Sequence, residues 1–338
     1  MSILSGISFF KSPSKAILLD MLVQQSSQLK EEILRLKKEK DVVILAHNYQ
    51  IPEVQDVADF TGDSLGLSRQ AATVPQKTIL FCGVNFMAET AAIISPEKKV
   101  LLPDTEAGCS LSDSITVDEL RNWKKQHPGA IAVGYVNTTA EIKAELDYCC
   151  TSSNAVNVVK AIPEDKEILF LPDMFLGSFV AKMTGRKNIH IWAGECHVHA
   201  GITPEDVNKK LESLNDSELV IHPECGCTTP FMYDVADGSF DNSKVSILST
   251  EGMLKHVTES KSKNFVVATE TGILHRMKQD NPEKTFVPAS EKAECQYMKM
   301  IDLQKVHDAL VHETNAVTVP KEIADKARLA IDRMLAIS

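Results

Sequence analysis

The stretch 42-VVILAHNY-49 is an apolar run, rich in β-branched residues, that ends in polar side chains. Two similar stretches follow later in the chain, 131-IAVGYVN-137 and 219-LVIHPE-224. His47, Tyr135 and His222 occupy matching places in them, at separations of 88 and then 87 residues. Apolar runs that alternate with helix-like segments are typical of parallel sheets covered by helices. The three stretches therefore predict an α/β fold with a repeat of about 90 residues.

Three further kinds of element recur in the same order after each of these stretches. They are a helix start that carries hydroxyl groups, a second apolar strand, and a last strand that leads to a cysteine. The helix starts are 63-DSLGLSRQAA-72, 151-TSSNAVNVV-159 and 249-STEGMLKHV-257, and the cysteines are Cys109, Cys196 and Cys295. The third repeat is about ten residues longer than the others, and we interpret its segment 225–246 as a loop insertion.

This order predicts three pseudo-symmetric αβα domains with short parallel sheets around a central active site. The predicted domains are 22–115, joined by C-terminal helices at about 300–338, then 116–200, and then 201–299. Ligands of open α/β sheets bind beyond the carboxyl ends of the strands. We therefore expect the polar strand ends, the three helix starts and the three cysteines to surround one cavity.

Composition limits the classes of function. The 338-residue chain has a formal net charge of −10, which argues against nucleic acid as a partner. It has no apolar run of the roughly 20 residues that a membrane span needs. The start, 1-MSILSGISFFKSPSK-15, lacks the charged region and cleavage site of a signal peptide. We expect a cytoplasmic protein with reduced thiols.

Three thiols that converge on one cavity could bind a metal. A structural zinc site needs four protein ligands, and a nearby histidine could supply the fourth. A [4Fe–4S] cluster needs four iron ligands, so three thiolates would leave one iron open to polarise a substrate oxygen. Three unrelated core cysteines are the alternative. Cys82, Cys149 and Cys150 are expected in the core, and the pair in 224-ECGC-227 has no assigned role.

The remaining polar positions suggest an anionic substrate. Helix N-termini bind phosphate and carboxylate groups, although ordinary capping by the hydroxyls explains the same residues. The hydroxyl candidates are Ser64, Ser152, Ser249 and Thr250. The strand ends add His222 with Glu224, His47 with Tyr49, and Tyr135 with Asn137, which suit acid–base work. His199 lies close to the second cysteine and could line the same pocket.

Several of these motifs together resemble the quinolinate synthase family over roughly residues 40–310. They are 46-AHNYQIPEVQDVADFTGDSL-65, 80-LFCGVNFMAETAAIISPEKKVLLPDTEAGCS-110, 135-YVNTTAEIKA-144, 151-TSSNA-155, 222-HPEC-225 and 269-TETG-272. The resemblance implies three αβα domains around one [4Fe–4S] cluster per chain. It also implies condensation of iminoaspartate with dihydroxyacetone phosphate into quinolinate, phosphate and water, a transferase reaction of NAD biosynthesis. Functional coupling to L-aspartate oxidase, the source of iminoaspartate, follows from the same resemblance.

The resemblance also implies roles for individual residues. The cluster ligands are Cys109, Cys196 and Cys295. The iminoaspartate contacts are His47 and Ser64, and further substrate contacts are Tyr135, Asn137, Ser152, His222, Glu224 and Thr250. Tyr49, with His47 nearby, would assist the isomerisation of the triose, and Glu224 would transfer a proton near the open iron.

The chain departs from the family pattern in two places. Some members have C-x-x-C-x-x-C around the third ligand, whereas 289-ASEKAEC-295 has only Cys295. Because segment 225–246 is long, the match of Ser249 and Thr250 to the family's substrate-binding positions could shift by about one residue. Three other functions stay open: a different [4Fe–4S] hydro-lyase of small hydroxyacids, a zinc hydrolase, and a non-catalytic metal-binding protein.

Overall fold

The computed structural model describes residues 15–238 and 241–337. Within them are three four-stranded, all-parallel sheets flanked by helices. The predicted α/β class and its three αβα units are therefore confirmed. The stretch 1–14, which we predicted not to be a signal peptide, lies outside the described residues.

The first unit forms a sheet with strand order β2-β1-β3-β4. Its elements are α1 (Lys15–Glu39), β1 (Val42–His47), α2 (Pro52–Val57), β2 (Phe60–Gly62), α3 (Ser64–Thr73), β3 (Thr78–Cys82), α4 (Asn85–Ile94) and β4 (Lys99–Leu101). The side chains of β1 are buried throughout, as expected for the second strand of a sheet covered on both faces.

The second unit repeats this plan with strand order β6-β5-β7-β8. Its elements are α5 (Val117–Gln126), β5 (Ile131–Tyr135), α6 (Ala140–Lys143), β6 (Tyr148–Cys150), α7 (Ala155–Ala161), β7 (Ile168–Leu171), α8 (Met174–Thr184) and β8 (Ile189–Ile191). Cys149 and Cys150 lie in β6 and are buried, and Cys82 is buried in β3, so the prediction of core cysteines is confirmed.

The third unit has strand order β10-β9-β11-β12. Two helices lead into it, α9 (His197–Ala200) and α10 (Pro204–Ser213). The unit itself contains β9 (Ser217–Ile221), α11 (Thr228–Asp237), β10 (Val245–Ile247), α12 (Thr250–Glu259), β11 (Asn264–Ala268), α13 (Ile273–Asp280) and β12 (Thr285–Pro288). All three sheets lie inside the predicted domain ranges, and the boundaries between those ranges stay a prediction.

Three C-terminal helices follow, α14 (Gln296–Lys299), α15 (Leu303–His312) and α16 (Lys321–Ala336). Helix α15 packs against α1, α2 and β3 of the first unit. Helix α16 packs against α6 and β6 of the second unit and also against α4 of the first. The C-terminal helices thus join two units. Within the described part of the chain, no helix has both the length and the apolar character needed to cross a bilayer.

Two sequence predictions about local structure are wrong. Segment 225–246 is not a loop, because it contains α11, a 3-10 turn at Asn242–Lys244 and the start of β10. Helix α11 occupies the place of α2 and α6 in the other units and is longer than either. The second hydroxyl-bearing helix start is also misplaced, because α7 begins at Ala155 and Ser152 lies in the turn before it.

Candidate active site

The carboxyl ends of the three sheets surround one cavity. Every unit contributes side chains to it. The predicted site residues that line it are His47, Tyr49, Ser64, Cys109, Tyr135, Asn137, Ser152, Cys196, His199, His222, Glu224, Thr250 and Cys295. The expected convergence of strand ends on one cavity therefore occurs in the structure.

Ser249 is the one predicted site residue that is not among the lining residues. Its hydroxyl accepts a hydrogen bond from the Gly252 amide at 3.2 Å and caps α12. Thr250, the first residue of α12, faces the cavity, and its hydroxyl accepts a hydrogen bond from the Asn48 amide at 3.1 Å. Ser64 is the first residue of α3, where Asp63 provides the cap.

Tyr49 belongs to a buried hydrogen-bonded group. Its hydroxyl lies 2.5 Å from the Thr269 hydroxyl and 3.2 Å from Nε2 of His199. The Thr269 hydroxyl is also 3.0 Å from the same His199 nitrogen. His47 contacts Tyr49 differently, through the edge of its ring and through the Tyr49 amide at 3.2 Å. The imidazole at the tyrosine hydroxyl is thus that of His199, rather than that of His47.

Glu224 lies on the other side of His199. One carboxylate oxygen is 3.3 Å from Nδ1 of His199, and the other is 3.5 Å from Nδ1 of His222. Both contacts are at ion-pair distance without the alignment of a hydrogen bond. Tyr135 donates a short hydrogen bond from its hydroxyl to Glu224. Glu224 therefore connects residues from the second and third units.

Burial and neighbouring charges give these groups different protonation states. Burial lowers the pKa of His222 to about 4, although Glu224 acts in the opposite direction. Burial would raise the pKa of Glu224, but His222 and His199 outweigh it and bring the value to about 2. Burial also opposes charge on His199, but Cys196 and Glu224 raise its pKa well above the usual value. At neutral pH the site therefore holds a carboxylate, an imidazolium and a neutral imidazole.

The two tyrosines and His47 are neutral at the same pH. Burial, followed by the charge of Glu224, raises the pKa values of Tyr49 and Tyr135 well above the usual range. Burial and His222 lower the pKa of His47 to about 3. The cavity thus offers two hydroxyl proton donors and a neutral imidazole. Asn137 adds a buried amide oxygen without a hydrogen-bond partner inside the protein.

The three thiols have equivalent places in their units. Each follows the last strand of its sheet, and Cys196 and Cys295 each precede a four-residue helix. The Ser112 and Leu111 amides favour the thiolate form of Cys109, and the Met298 and Tyr297 amides favour that of Cys295. Burial and the neighbouring thiols raise the pKa of Cys109, and burial raises that of Cys295. Three thiols are a donor set that suits a thiophilic metal.

The spacing of the sulfurs bears on the kind of metal. In the described residues, the three sulfurs do not form a group whose atoms all lie within 4.8 Å of one another. A single zinc ion with bonds of about 2.3 Å would need sulfurs roughly 3.8 Å apart. Cys196, His199 and Glu224 do form such a close group and could hold a single ion. The three sulfurs as placed therefore do not match a single zinc ion held by all three.

A buried ion pair connects the third thiol to the Tyr49 turn. Glu270 is fully buried, and its carboxylate accepts the Cys295 amide at 3.1 Å and the Lys299 ammonium at 2.7 Å. Lys299 also donates to the Tyr49 carbonyl at 2.6 Å. A Cβ on Gly272 would come within 2.8 Å of Glu270, Lys299 and the Tyr49 backbone, so only glycine fits where these three groups meet.

Sequence reasoning did not assign roles to Thr269, Glu270 and Lys299. The first two belong to 269-TETG-272, which directly follows β11, at the place where the other units carry 83-GVN-85 and 172-PDM-174. Their position directly after a strand was the feature of the sequence that could have marked Thr269 and Glu270 as site residues. Lys299 carried no signal, since its role depends on how α14 approaches β1.

The site and fold define a class: an α/β protein with three repeated units that share one thiol-lined, acid–base cavity. A family model described as quinolinate synthetase A protein matches residues 31–336. The chain is 53% identical over 306 residues to the quinolinate synthase of Mycobacterium sp. strain KMS, covering 90% of this chain and 91% of that protein. It is 52% identical to the quinolinate synthase of Pyrobaculum aerophilum, with 90% and 98% covered. The chain belongs to the quinolinate synthase family.

Proposed function

We propose that this chain is a transferase that condenses iminoaspartate with dihydroxyacetone phosphate into quinolinate, phosphate and water. We also propose that Cys109, Cys196 and Cys295 hold one [4Fe–4S] cluster. The convergence of three thiols, one from each unit, on a cavity that contains Glu224 and His199 carries the proposal. The family and the names of the relatives supply the product, quinolinate. A cytoplasmic location and coupling to L-aspartate oxidase belong to the same proposal.

The donor set fits such a cluster. Three cysteines on separate turns supply thiolates, and backbone amides favour the thiolate form of two of them, as is common around iron–sulfur clusters. When bound, a cluster with only three cysteine ligands supplies one iron as a Lewis acid for a substrate oxygen. Glu224 and His199 line the same cavity as the thiols, so their charges would lie close to that reacting end of the substrate.

The helix starts are suited to hold the acidic groups of the substrates. Helices α3 and α12 each direct their first residue, Ser64 and Thr250, into the cavity. Unpaired amides and the helix dipole at these ends favour phosphate and carboxylate groups. Ser152, hydrogen-bonded to His222 at 3.2 Å, adds a hydroxyl from the second unit. We assign these three hydroxyls to substrate binding together with Asn137 and His47.

Proton movement is assigned to the group formed by Glu224, His199 and Tyr49. The imidazolium of His199 can donate from Nδ1 towards Glu224 and from Nε2 towards Tyr49 or Thr269. The hydroxyl of Tyr49 can then give a proton to the substrate and recover one through His199. Moving a proton between carbons in the triose isomerisation and removing water in the last steps both need such a donor–acceptor chain. Tyr135 can donate a second proton beside Glu224.

The test begins with anaerobic purification and measurement of iron and sulfide per chain. We expect about four irons with a broad absorption near 400 nm, together with quinolinate formation from iminoaspartate and dihydroxyacetone phosphate. Cys109→Ser should lose the iron and the activity. Cys82→Ala, which removes a buried thiol of the same unit that lies outside the cavity, should keep both.

Two results would contradict the proposal. A Cys109→Ser chain with a full iron content would remove this thiol from the ligand set. A cluster-loaded chain that dehydrates a small hydroxyacid and makes no quinolinate would favour the hydro-lyase.

A further inference from the structure

A second group of metal-ligating side chains lies at the other end of the second sheet. His127 follows the last residue of α5, Glu167 directly precedes β7, and His190 is the middle residue of β8. These positions are at the amino ends of the strands, whereas the candidate active site lies beyond the carboxyl ends. None of the three residues lines that cavity.

The sheet register explains why the three side chains meet. Leu169 of β7 is paired with His190 of β8, and Glu167 is two residues before Leu169. Side chains two residues apart on a strand point to the same face, so Glu167 and His190 share a face. The α5 end brings His127 to this face, where its ring is stacked on Trp123 with centroids 3.9 Å apart. Trp123 also contacts the His190 ring edge-on at 5.5 Å, so one indole orients both imidazoles.

We propose that His127, Glu167 and His190 form a binding site for a divalent transition metal ion such as Zn²⁺. One nitrogen of His127, one nitrogen of His190 and one Glu167 oxygen all lie within 4.8 Å of one another. Two imidazole nitrogens with one carboxylate oxygen are a donor set for Zn²⁺ and similar borderline ions. The hard ions Ca²⁺ and Mg²⁺ prefer oxygen donors alone, so they are poor occupants.

The distances are close to those that a metal would impose. Without metal the same Glu167 oxygen is 2.9 Å from His127 and 2.5 Å from His190, as in two hydrogen bonds. Ligands of a tetrahedral zinc ion lie roughly 3.4 Å apart, so the carboxylate would move outward by about 0.5–1 Å. The Glu167 side chain is 37% exposed and has room for this rotation.

The surroundings favour an ion with water among its ligands. The side chains of His127 and His190 are 27% and 46% exposed, so solvent can reach the remaining coordination positions. His127 is the C-cap residue of the ten-residue helix α5, where the helix dipole favours positive charge. The site is independent of the proposed reaction, because it shares no residue with the cavity.

The experiment is a titration of the full chain with Zn²⁺ and with Co²⁺ after anaerobic reconstitution of the iron site. We expect one Zn²⁺ per chain beyond what the cysteines take up. Bound Co²⁺ should show visible ligand-field bands without the intense ultraviolet band of cobalt–thiolate bonds. His190→Gln and Glu167→Gln should each weaken this binding at least tenfold and leave the iron content unchanged.

His256→Gln is the matched control. His256 lies 2.8 Å from Glu218 at similar exposure, but no third ligand completes a group there among the described residues. Its substitution should leave Zn²⁺ binding unchanged. The proposal is overturned if the chain binds no Zn²⁺ beyond its cysteines, or if His190→Gln and Glu167→Gln bind it as tightly as the unchanged chain. Because iron content is measured in parallel, failure here is distinct from failure of the proposed reaction.

Discussion

The molecule contains two groups of two histidines and one glutamate, in opposite surroundings. His199, Glu224 and His222 have side chains no more than 4% exposed at the centre of the cavity. His127, Glu167 and His190 are 27–46% exposed at the far end of the second sheet. The residue types are the same, and in the buried group the two histidine pKa values move apart, raised for His199 and lowered to about 4 for His222.

The difference shows what burial adds to a set of side chains. In the cavity, burial lowers the pKa of His222, whereas Cys196 and Glu224 raise that of His199 against the effect of burial. One histidine is therefore neutral and the other is an imidazolium at the same pH. At the surface, His127 and His190 lower the pKa of Glu167, and this carboxylate holds the two rings in place. The buried group is therefore suited to proton transfer, and the exposed one to binding an ion.

The largest effect is expected from removing the charge of the buried carboxylate. Glu224→Gln should lower the rate of quinolinate formation by about 10²–10⁴-fold, the range for loss of a positioned acid–base group. Iron content should stay unchanged. Glu167→Gln is the same change beside two exposed histidines and should leave the rate unaffected. Equal rates for both variants would remove Glu224 from the mechanism.

The comparison extends to lysine–glutamate pairs. Lys299→Met should lower the free energy of unfolding by about 3 kcal/mol, because it leaves the buried Glu270 without its cation. Lys210→Met is the matched control: both lysine side chains are 22% exposed, but Glu291, the partner of Lys210, is 71% exposed. Urea unfolding should separate the two variants, and equal midpoints would mean that Glu270 does not need Lys299.

The third prediction concerns pH. The pKa of His222 is about 4 in the folded chain and near 6.5 when unfolded, so the unfolded chain binds its proton first as the pH falls. Its contribution to stability is complete above pH 6.5 and is lost towards pH 4. Between pH 6.5 and 5 the loss should be roughly 2 kcal/mol.

Unfolding midpoints measured across this range test the assignment to His222. His222→Gln should reduce the pH dependence of these midpoints. If this variant followed the unchanged chain, His222 would not be the group that titrates.

The smallest effect is expected at Thr269, a neutral member of the buried group. Thr269→Val keeps the side-chain shape and removes the hydroxyl that contacts Tyr49 and His199. We expect about a tenfold lower kcat with a nearly unchanged KM, since one hydrogen bond of about 1–1.5 kcal/mol is lost. A change confined to KM would place Thr269 in substrate binding instead.

Most of the fold could be predicted because its central strands are long apolar runs repeated at a fixed period. Nine of the twelve strands coincide with such runs. The three that were missed are the edge strands β2, β6 and β10, each of three residues. These three lie outside the apolar runs, and only pairing with the neighbouring strand defines them. Helix α11 was mistaken for a loop because its place in the repeat is taken by much shorter helices in the other units.

Only those site residues whose place follows from their position in the repeat could be predicted. Cysteines and polar residues at equivalent strand ends were expected to line one cavity, and they do. Which imidazole contacts Tyr49 depends on how α9 is packed, so the sequence pointed to His47 while the structure places His199 there. The Glu270–Lys299 pair and the group formed by His127, Glu167 and His190 depend on contacts across 29 and up to 63 residues of sequence, which no local pattern reveals.

The hydrogen bond between Tyr49 and Thr269 joins residues 220 positions apart, and this separation has a consequence for biosynthesis. At 5–20 residues per second, the ribosome makes Thr269 roughly 10–45 seconds after Tyr49. The sheet that carries Tyr49 closes within its first hundred residues and can form during that interval. Until α9 is made, the Tyr49 hydroxyl has neither His199 nor Thr269 as a hydrogen-bond partner, and its side of the cavity is open to solvent. A nascent chain stalled just after α9 would thus hold two complete sheets with Tyr49 and His199, but neither Glu224 nor Thr269.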